Sequence, residues 1–142
     1  MIVYQVVLDT NVLVAALRSR RGASFRLLRT LGDERWQPHV SVALVLEYEA
    51  AMKRGCAGLG LPESVADDIV DTMCAVGRQS PIYYRWRPFL SDPGDEFILD
   101  LAVGGSCDFI VTHNTRHFAG VEQFGIRVVT PREFLTIIGE RP

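Results

Sequence analysis

Val6-Val7-Leu8-Asp9-Thr10-Asn11-Val12-Leu13-Val14-Ala15-Ala16-Leu17 is the stretch whose reading decides the fold. The run it belongs to, Val3 to Leu8, is β-branched and apolar with no sustained alternation, as expected of a strand buried on both faces. It ends at Asp9-Thr10-Asn11, where a short polar side chain can cap a helix, and Val12 to Arg18 continues with helical character.

Working outward, the alternation of strand and helix continues. Arg20-Arg21-Gly22 breaks the first helix, and Ala23 to Leu31 reads as a second. Trp36 to Ser41 reads as a short strand, with Pro38 implying an irregular or edge position. Leu44, Leu46, Tyr48, Ala51 and Met52 give a helical pattern that ends near Arg54-Gly55. Gly55, Gly58 and Gly60 mark a loop, and Pro62 opens a helix through about Val76. Ile82 to Trp86 reads as a strand. Asp92-Pro93-Gly94-Asp95 makes a turn that opens a helix over Glu96 to Val103. Strands follow at Asp108 to Thr112 and Ile126 to Val129. Thr130 then caps a last helix, with Pro131 at its first position and Glu133 completing a capping box. The expectation is a three-layer α/β/α sandwich with a central, mostly parallel sheet, formed by residues 1–142 as a single domain.

Composition agrees with that reading. The chain has 142 residues, which suits one core, and 48% of them are apolar, too many for a disordered chain. The start lacks the basic lead and small-residue cleavage site of a signal peptide, and no apolar run approaches the roughly 20 residues of a membrane span. A soluble cytoplasmic protein is expected. Cys56, Cys74 and Cys107 are widely spaced without a C-x-x-C pair, which argues against a zinc site or a disulfide framework. The formal net charge is −2, low for a nucleic-acid binder. Distribution matters more than the sum. Arg18, Arg20, Arg21, Arg26 and Arg29 cluster early, while Glu63, Asp67, Asp68 and Asp71 crowd the middle. A basic rim around an acidic pocket gives such near-cancellation, and so do ordinary solvated helix faces.

In open α/β sheets, ligand sites lie just beyond the carboxyl ends of the strands. Asp9 lies at the end of the first strand, and Thr112 and Asn114 lie at the end of the strand that begins at Asp108. Asp92 and Asp95 lie in the turn before a helix. Glu47 sits inside its helix among Leu44, Val45 and Leu46, where a carboxylate is costly unless it is paired or binds a cation. Each acid also has a plain structural reading. Asp9 can be a helix cap, Asp92 and Asp95 can be turn and cap residues, and helix rotation can simply expose Glu47. Convergence would have a chemical purpose, because hard divalent cations prefer oxygen ligands and can activate water against a phosphate.

These motifs resemble the PIN-domain ribonucleases, from about Val6 to Leu135. Val6 to Leu17 is similar to the opening PIN motif, with Asp9 as its first acid. Ser41 to Arg54 resembles the helix that carries the second acid, here Glu47. Asp92-Pro93-Gly94-Asp95-Glu96 resembles the segment with the third, most naturally Asp95. Ile110 to Phe118 matches the strand and loop of the fourth position, where Asn114 replaces the usual Asp. Arg127 to Leu135 resembles the ending of a bacterial subgroup described as toxins of toxin–antitoxin systems, similar to VapC-type toxins.

The resemblance implies an endoribonuclease in which Asp9, Glu47 and Asp95 hold Mg²⁺ or Mn²⁺, leaving 5′-phosphate and 3′-hydroxyl ends. It further implies an RNA substrate, an antitoxin protein partner and a homodimer. Asn114 brings no charge, so metal affinity should weaken and a second metal becomes doubtful unless Asp92 compensates. Thr10, Asn11 and Thr112 are candidate hydrogen-bonders behind the acids, and Arg20, Arg21 and Arg116 are candidate RNA contacts. His113 and His117 read as loop residues. One rival is a catalytically weak PIN module that binds RNA or protein. A phosphotransfer enzyme with Asp9 as nucleophile is disfavoured, since Asp9-Thr10-Asn11 lacks the second acid. No glycine-rich phosphate loop occurs to support an NTPase.

Overall fold

Val6, Val7 and Leu8 are all fully buried, so the opening run forms the doubly covered strand its composition predicts. Burying each such side chain contributes roughly 1.5–3 kcal/mol, which fixes this strand at the centre. A computed structural model describes residues 2–80 and 88–140. In it, β1 (Tyr4–Leu8) pairs in parallel with β2 (Trp36–Val40) on one side and with β4 (Phe109–Val111) on the other. β3 (Arg78–Gln79) joins β2 and β5 (Arg127–Val129) joins β4, giving an all-parallel sheet in the order β3-β2-β1-β4-β5. The expected strand at Ile82 to Trp86 lies outside the described residues.

The sheet order dictates where the helices go. Helices α1 (Thr10–Arg18), α2 (Ala23–Leu28), α3 (Val42–Leu59) and α4 (Glu63–Val76) carry the chain outward from β1 to β3 and pack on one another. The return from β3 to β4 runs the opposite way across the sheet. A right-handed connection then puts its helix, α5 (Pro93–Gly104), on the other face, where it packs on β1, β2 and β4. The last helix, α6 (Pro131–Ile137), packs against α2 and starts with the predicted capping box between Thr130 and Glu133. The three-layer α/β/α architecture follows.

At the amino ends of the strands, Phe134 of α6 meets Tyr4, Trp36 and Phe109 edge-on, with ring centroids 5.4–6.3 Å apart. Such pairs add to the area they bury. Midway along β2, buried His39 joins neighbouring strands. Its Nε2 donates to the side-chain Oε1 of Gln5 at 2.6 Å, which leaves Nδ1 to accept from the Ser80 hydroxyl. Burial, then the charge of Arg78, lowers its pKa.

Several boundaries differ from expectation, each for a visible reason. α3 does not stop at Gly55 but runs to Leu59, ending at Gly60 in the left-handed conformation with φ 69°. Gly55 is a packing residue: a Cβ there would lie 3.0 Å from Leu17 Cδ1 of α1. The buried stripe of α3 is Leu44, Tyr48, Met52 and Cys56, a spacing of four, and Leu46 is 61% exposed. α5 starts at Pro93, earlier than Glu96, because Asp92 caps it. α2 ends at Leu28, after which the Thr30 hydroxyl bonds back to Leu27 O and accepts from Trp36 Nε1.

Pro38 sits on an internal strand, not an edge. The pairing with β3 begins only at His39, however, so the Pro38 end of β2 has no strand beyond it. There the Gln37 side chain reaches across to Val76 O instead. A proline without a ladder donor is tolerated at such a place.

Gly77, between α4 and β3, has ordinary backbone angles but no room. A Cβ would lie 2.4 Å from Met73 O and about 3 Å from both Val40 methyl groups. Gly77→Ala should therefore destabilise by about 1–3 kcal/mol, as overpacking does. Urea titration checks this, and an unchanged midpoint contradicts it. Among the described residues, no helix is long and apolar enough to cross a membrane.

Candidate active site

The strand order reverses between β1 and β4, and their carboxyl ends open the crevice where such sheets bind ligands. Asp9 leaves β1 there and Thr112 leaves β4. The Asp9 amide donates to Val111 O at 2.9 Å, and the Thr112 amide donates to Val129 O at 2.9 Å. Asp9 occupies the cap position of α1, yet its side chain makes no capping hydrogen bond. Its Oδ2 instead accepts the Thr112 hydroxyl at 2.7 Å.

The Thr112 hydroxyl has no spare capacity. Besides donating to Asp9, it accepts from Asn11 Nδ2 at 3.3 Å and from the Asn114 amide at 3.0 Å. A hydroxyl has one donor and two acceptor positions, so its orientation is fixed, and with it one oxygen of Asp9. Asn11 also accepts from the His113 amide at 3.2 Å, and His113 Nε2 lies 2.7 Å from the hydroxyl of buried Ser24 in α2. Asn11 and Thr112 thus form one hydrogen-bonded group with Asp9.

Glu47 is brought in by its neighbour. Tyr48 is wholly buried, and its hydroxyl donates to Leu8 O at the end of β1. That bond pins the first part of α3 beside Asp9 and leaves Glu47, one residue away, on the exposed rim. Asp95 lies in the first turn of α5 with its side chain 15% exposed, and His117 Nδ1 is 3.5 Å from its Oδ2.

Burial acts on all three carboxyls, and the charge of Asp9 acts on the other two. Burial raises the pKa of Asp9, opposed by the Thr112 bond, the Thr10 and Asn11 amides and His117. Burial also raises Glu47, helped by the charges of Asp9 and Asp92 and opposed by Thr10 and Arg54. Asp95 is raised by burial, then by Asp9, Asp92 and Glu47, with His117 opposing. Tyr48 is pushed up by burial and by Asp9 and Glu47. The three acids therefore share one electrostatic field. Each binds its proton more tightly folded than unfolded, so their ionisation costs stability as pH rises through the carboxylate range.

Other candidates fall into place unevenly. Asp92 is a true cap, accepting from the Gly94 amide at 2.7 Å and the Asp95 amide at 3.4 Å. Asn114 joins the network through its backbone, while its side chain is exposed and makes no hydrogen bond among the described residues. Thr10 Oγ1 is buried beside Glu47, near enough to restrain its pKa, but has no partner of hydrogen-bonding geometry among the described residues. Arg116 is exposed on the 3-10 turn Thr115–Phe118. Arg20 and Arg21 follow the end of α1 opposite Asp9 and are exposed. His117, read from the sequence as a loop residue, instead lies against Asp95; Ser24, Tyr48 and Arg54 were missed, the first two because they act through contacts distant in sequence. Only Arg54, two helical turns after Glu47, had a spacing that could have revealed it.

Among the described residues, no three of the His, Cys, Asp and Glu side chains close into a ready-made metal cage. The three cysteines are free, Cys56 and Cys107 buried and Cys74 exposed.

A parallel sheet with carboxylates at its switch point defines an α/β protein with a polar site at the strand ends. The PIN domain family matches residues 5–116, well over half of the chain, and the chain belongs to that family. PIN domains are generally nucleases, so nucleic acid is the substrate class the membership points to. The resemblance seen at Arg127 to Leu135 lies beyond the matched residues. No curated protein matches the chain.

Proposed function

We propose that this PIN domain is a metal-dependent endoribonuclease in which Asp9, Glu47 and Asp95 form the acidic centre. The observation that carries this reading is the gathering of the three carboxyls at the switch point, where the Asp9 charge is felt by both Glu47 and Asp95. A divalent cation there would offset the cost of ionising carboxyls that burial disfavours. The donors fit Mg²⁺ or Mn²⁺: all are oxygens, and the buried Thr10 hydroxyl beside them has no partner of hydrogen-bonding geometry among the described residues. The open arrangement suits Mg²⁺, which takes few protein carboxylates and keeps several waters.

A bound cation supplies Lewis-acid polarisation of the phosphate and acidifies water. The chain's own residues do the rest. Asp9, oriented by Thr112, and Asp95 on α5 would hold the cation. Glu47, the most exposed of the three acids and made more basic by burial, would take a proton from the attacking water. Asn114 adds an uncharged oxygen at most, so one strongly held cation is proposed. Attack on phosphorus leaves 5′-phosphate and 3′-hydroxyl ends.

The resemblance of the C-terminal motif supports a role as the toxin of a toxin–antitoxin pair. In that role the protein is cytoplasmic and homodimeric, with an antitoxin that restrains it. The test is incubation of a structured RNA with Mn²⁺ and with EDTA. Cleavage only with Mn²⁺, giving 3′ ends that ligate to an adaptor without repair, is the expected outcome. RNA binding with no metal-dependent cleavage would instead identify a catalytically weak binding module.

A further inference from the structure

We propose that the groove between α1 and α3 is a phosphate-binding track that leads RNA to the acids, through Arg18 and Arg54. The proposal rests on the nuclease reading for its ligand, but not for its geometry. The groove is lined by Val14 and Arg18 of α1 and by Ala51, Arg54, Gly55 and Gly58 of α3, with Leu59 at its end.

Both helices start at the site rim and run down the molecule together. α1 begins beside Asp9, and Thr10 lies by Glu47. Further down, Gly55 packs against Leu17 and Val14. From Glu47 to Gly58 the groove extends about 16 Å at 1.5 Å per residue, room for more than one phosphate. It is therefore continuous with the acidic centre at one end.

Its charge is the reverse of the centre's. Arg18 makes no ion pair among the described residues and is exposed. Arg54 is also exposed, and the acid it acts on is Glu47, whose pKa it lowers. The groove lining contains no carboxylate. Two guanidiniums on one track, in a chain of net charge −2, are a local match for a polyanion. The other basic side chain on this part of α3, Lys53, points away and pairs with Glu49 and Asp67. The floor is open as well, since a Cβ on Gly58 would meet nothing within 4 Å. This assigns substrate contact to Arg18 and Arg54, in addition to the Arg20, Arg21 and Arg116 that the sequence alone suggested.

Binding is measured by fluorescence anisotropy of a labelled single-stranded RNA in EDTA, so that affinity is read without cleavage, at several salt concentrations. Arg18→Gln with Arg54→Gln should weaken binding by about tenfold or more at low salt. It should also reduce the slope of log K against log salt by roughly 1.4, at about 0.7 per phosphate contact on a single strand. Gly58→Phe, which fills the groove without touching the core, should weaken binding while leaving the thermal melt in place. Arg29→Gln, remote from the groove, should change neither affinity nor slope. Unchanged affinity and slope in both groove variants overturns the proposal and leaves the groove to a protein partner. Groove-dependent binding without metal-dependent cleavage sustains the track and removes the nuclease reading. Cleavage by a wild type whose groove variants bind normally does the opposite.

Discussion

Asp9→Asn is expected to abolish Mn²⁺-dependent RNA cleavage, by about 10³-fold or more, while making the metal-free protein more stable. The loss follows from Asp9's place at the switch point, where Thr112 fixes its orientation. Three orders of magnitude correspond to about 4 kcal/mol of lost transition-state stabilisation. The gain in stability follows from the sign of the pKa shift. Asp9 lies above its ordinary value of 3.8, chiefly through burial, so its ionised form costs folding energy once pH exceeds that value. Asn keeps an oxygen for the Thr112 hydroxyl and carries no charge. The rise in Tm should therefore be present at neutral pH and disappear below the ordinary carboxyl value. Added Mn²⁺ should raise the Tm of the wild type at neutral pH and do little for the variant. Parallel melts and cleavage assays check both halves. If Asp9→Asn destabilises the metal-free fold, Asp9 is a structural residue; if it still cleaves, the acidic centre lies elsewhere.

Phe134→Ala should cost about 3–5 kcal/mol, the usual cost of truncating a fully buried phenylalanine. At roughly 2–4 °C per kcal/mol for a chain near this size, Tm falls by about 10 °C. Phe134 is wholly buried among Tyr4, Trp36 and Phe109, which come from β1, β2 and β4. It lies beyond residue 116, where the family match ends. We propose that residues 1–142 fold as one unit, with α6 completing the floor of the sheet. A single melting transition that shifts as a whole is the expected result. An unshifted main transition would make α6 an appendage.

What could be read from the residues was whatever local chemistry dictates. Val6 to Leu8 announced a buried strand, Thr130-Pro131-Arg132-Glu133 announced a capping box, and the alternation of elements announced the parallel sheet. Gly55 misled because a helix breaker by propensity is here a contact surface for Leu17, a need set by another helix. Leu46 misled because the true stripe of α3 has a spacing of four. The acids could be nominated one at a time, but not their mutual field, which depends on Tyr48 tying α3 to Leu8 across 40 residues. The Arg18–Arg54 groove was out of reach for the same reason, since neither residue's neighbour in space is its neighbour in sequence.

α1 and α5 both start beside the acids, α1 at Thr10 next to Asp9 and Glu47, and α5 at Pro93 next to Asp92 and Asp95. Each helix amino end carries about half a positive elementary charge from its aligned peptide dipoles. Backbone partial charge thus reaches the carboxylates from two helices at once, independent of pH. It offsets part of the repulsion between a polyanion and a centre built of carboxylates.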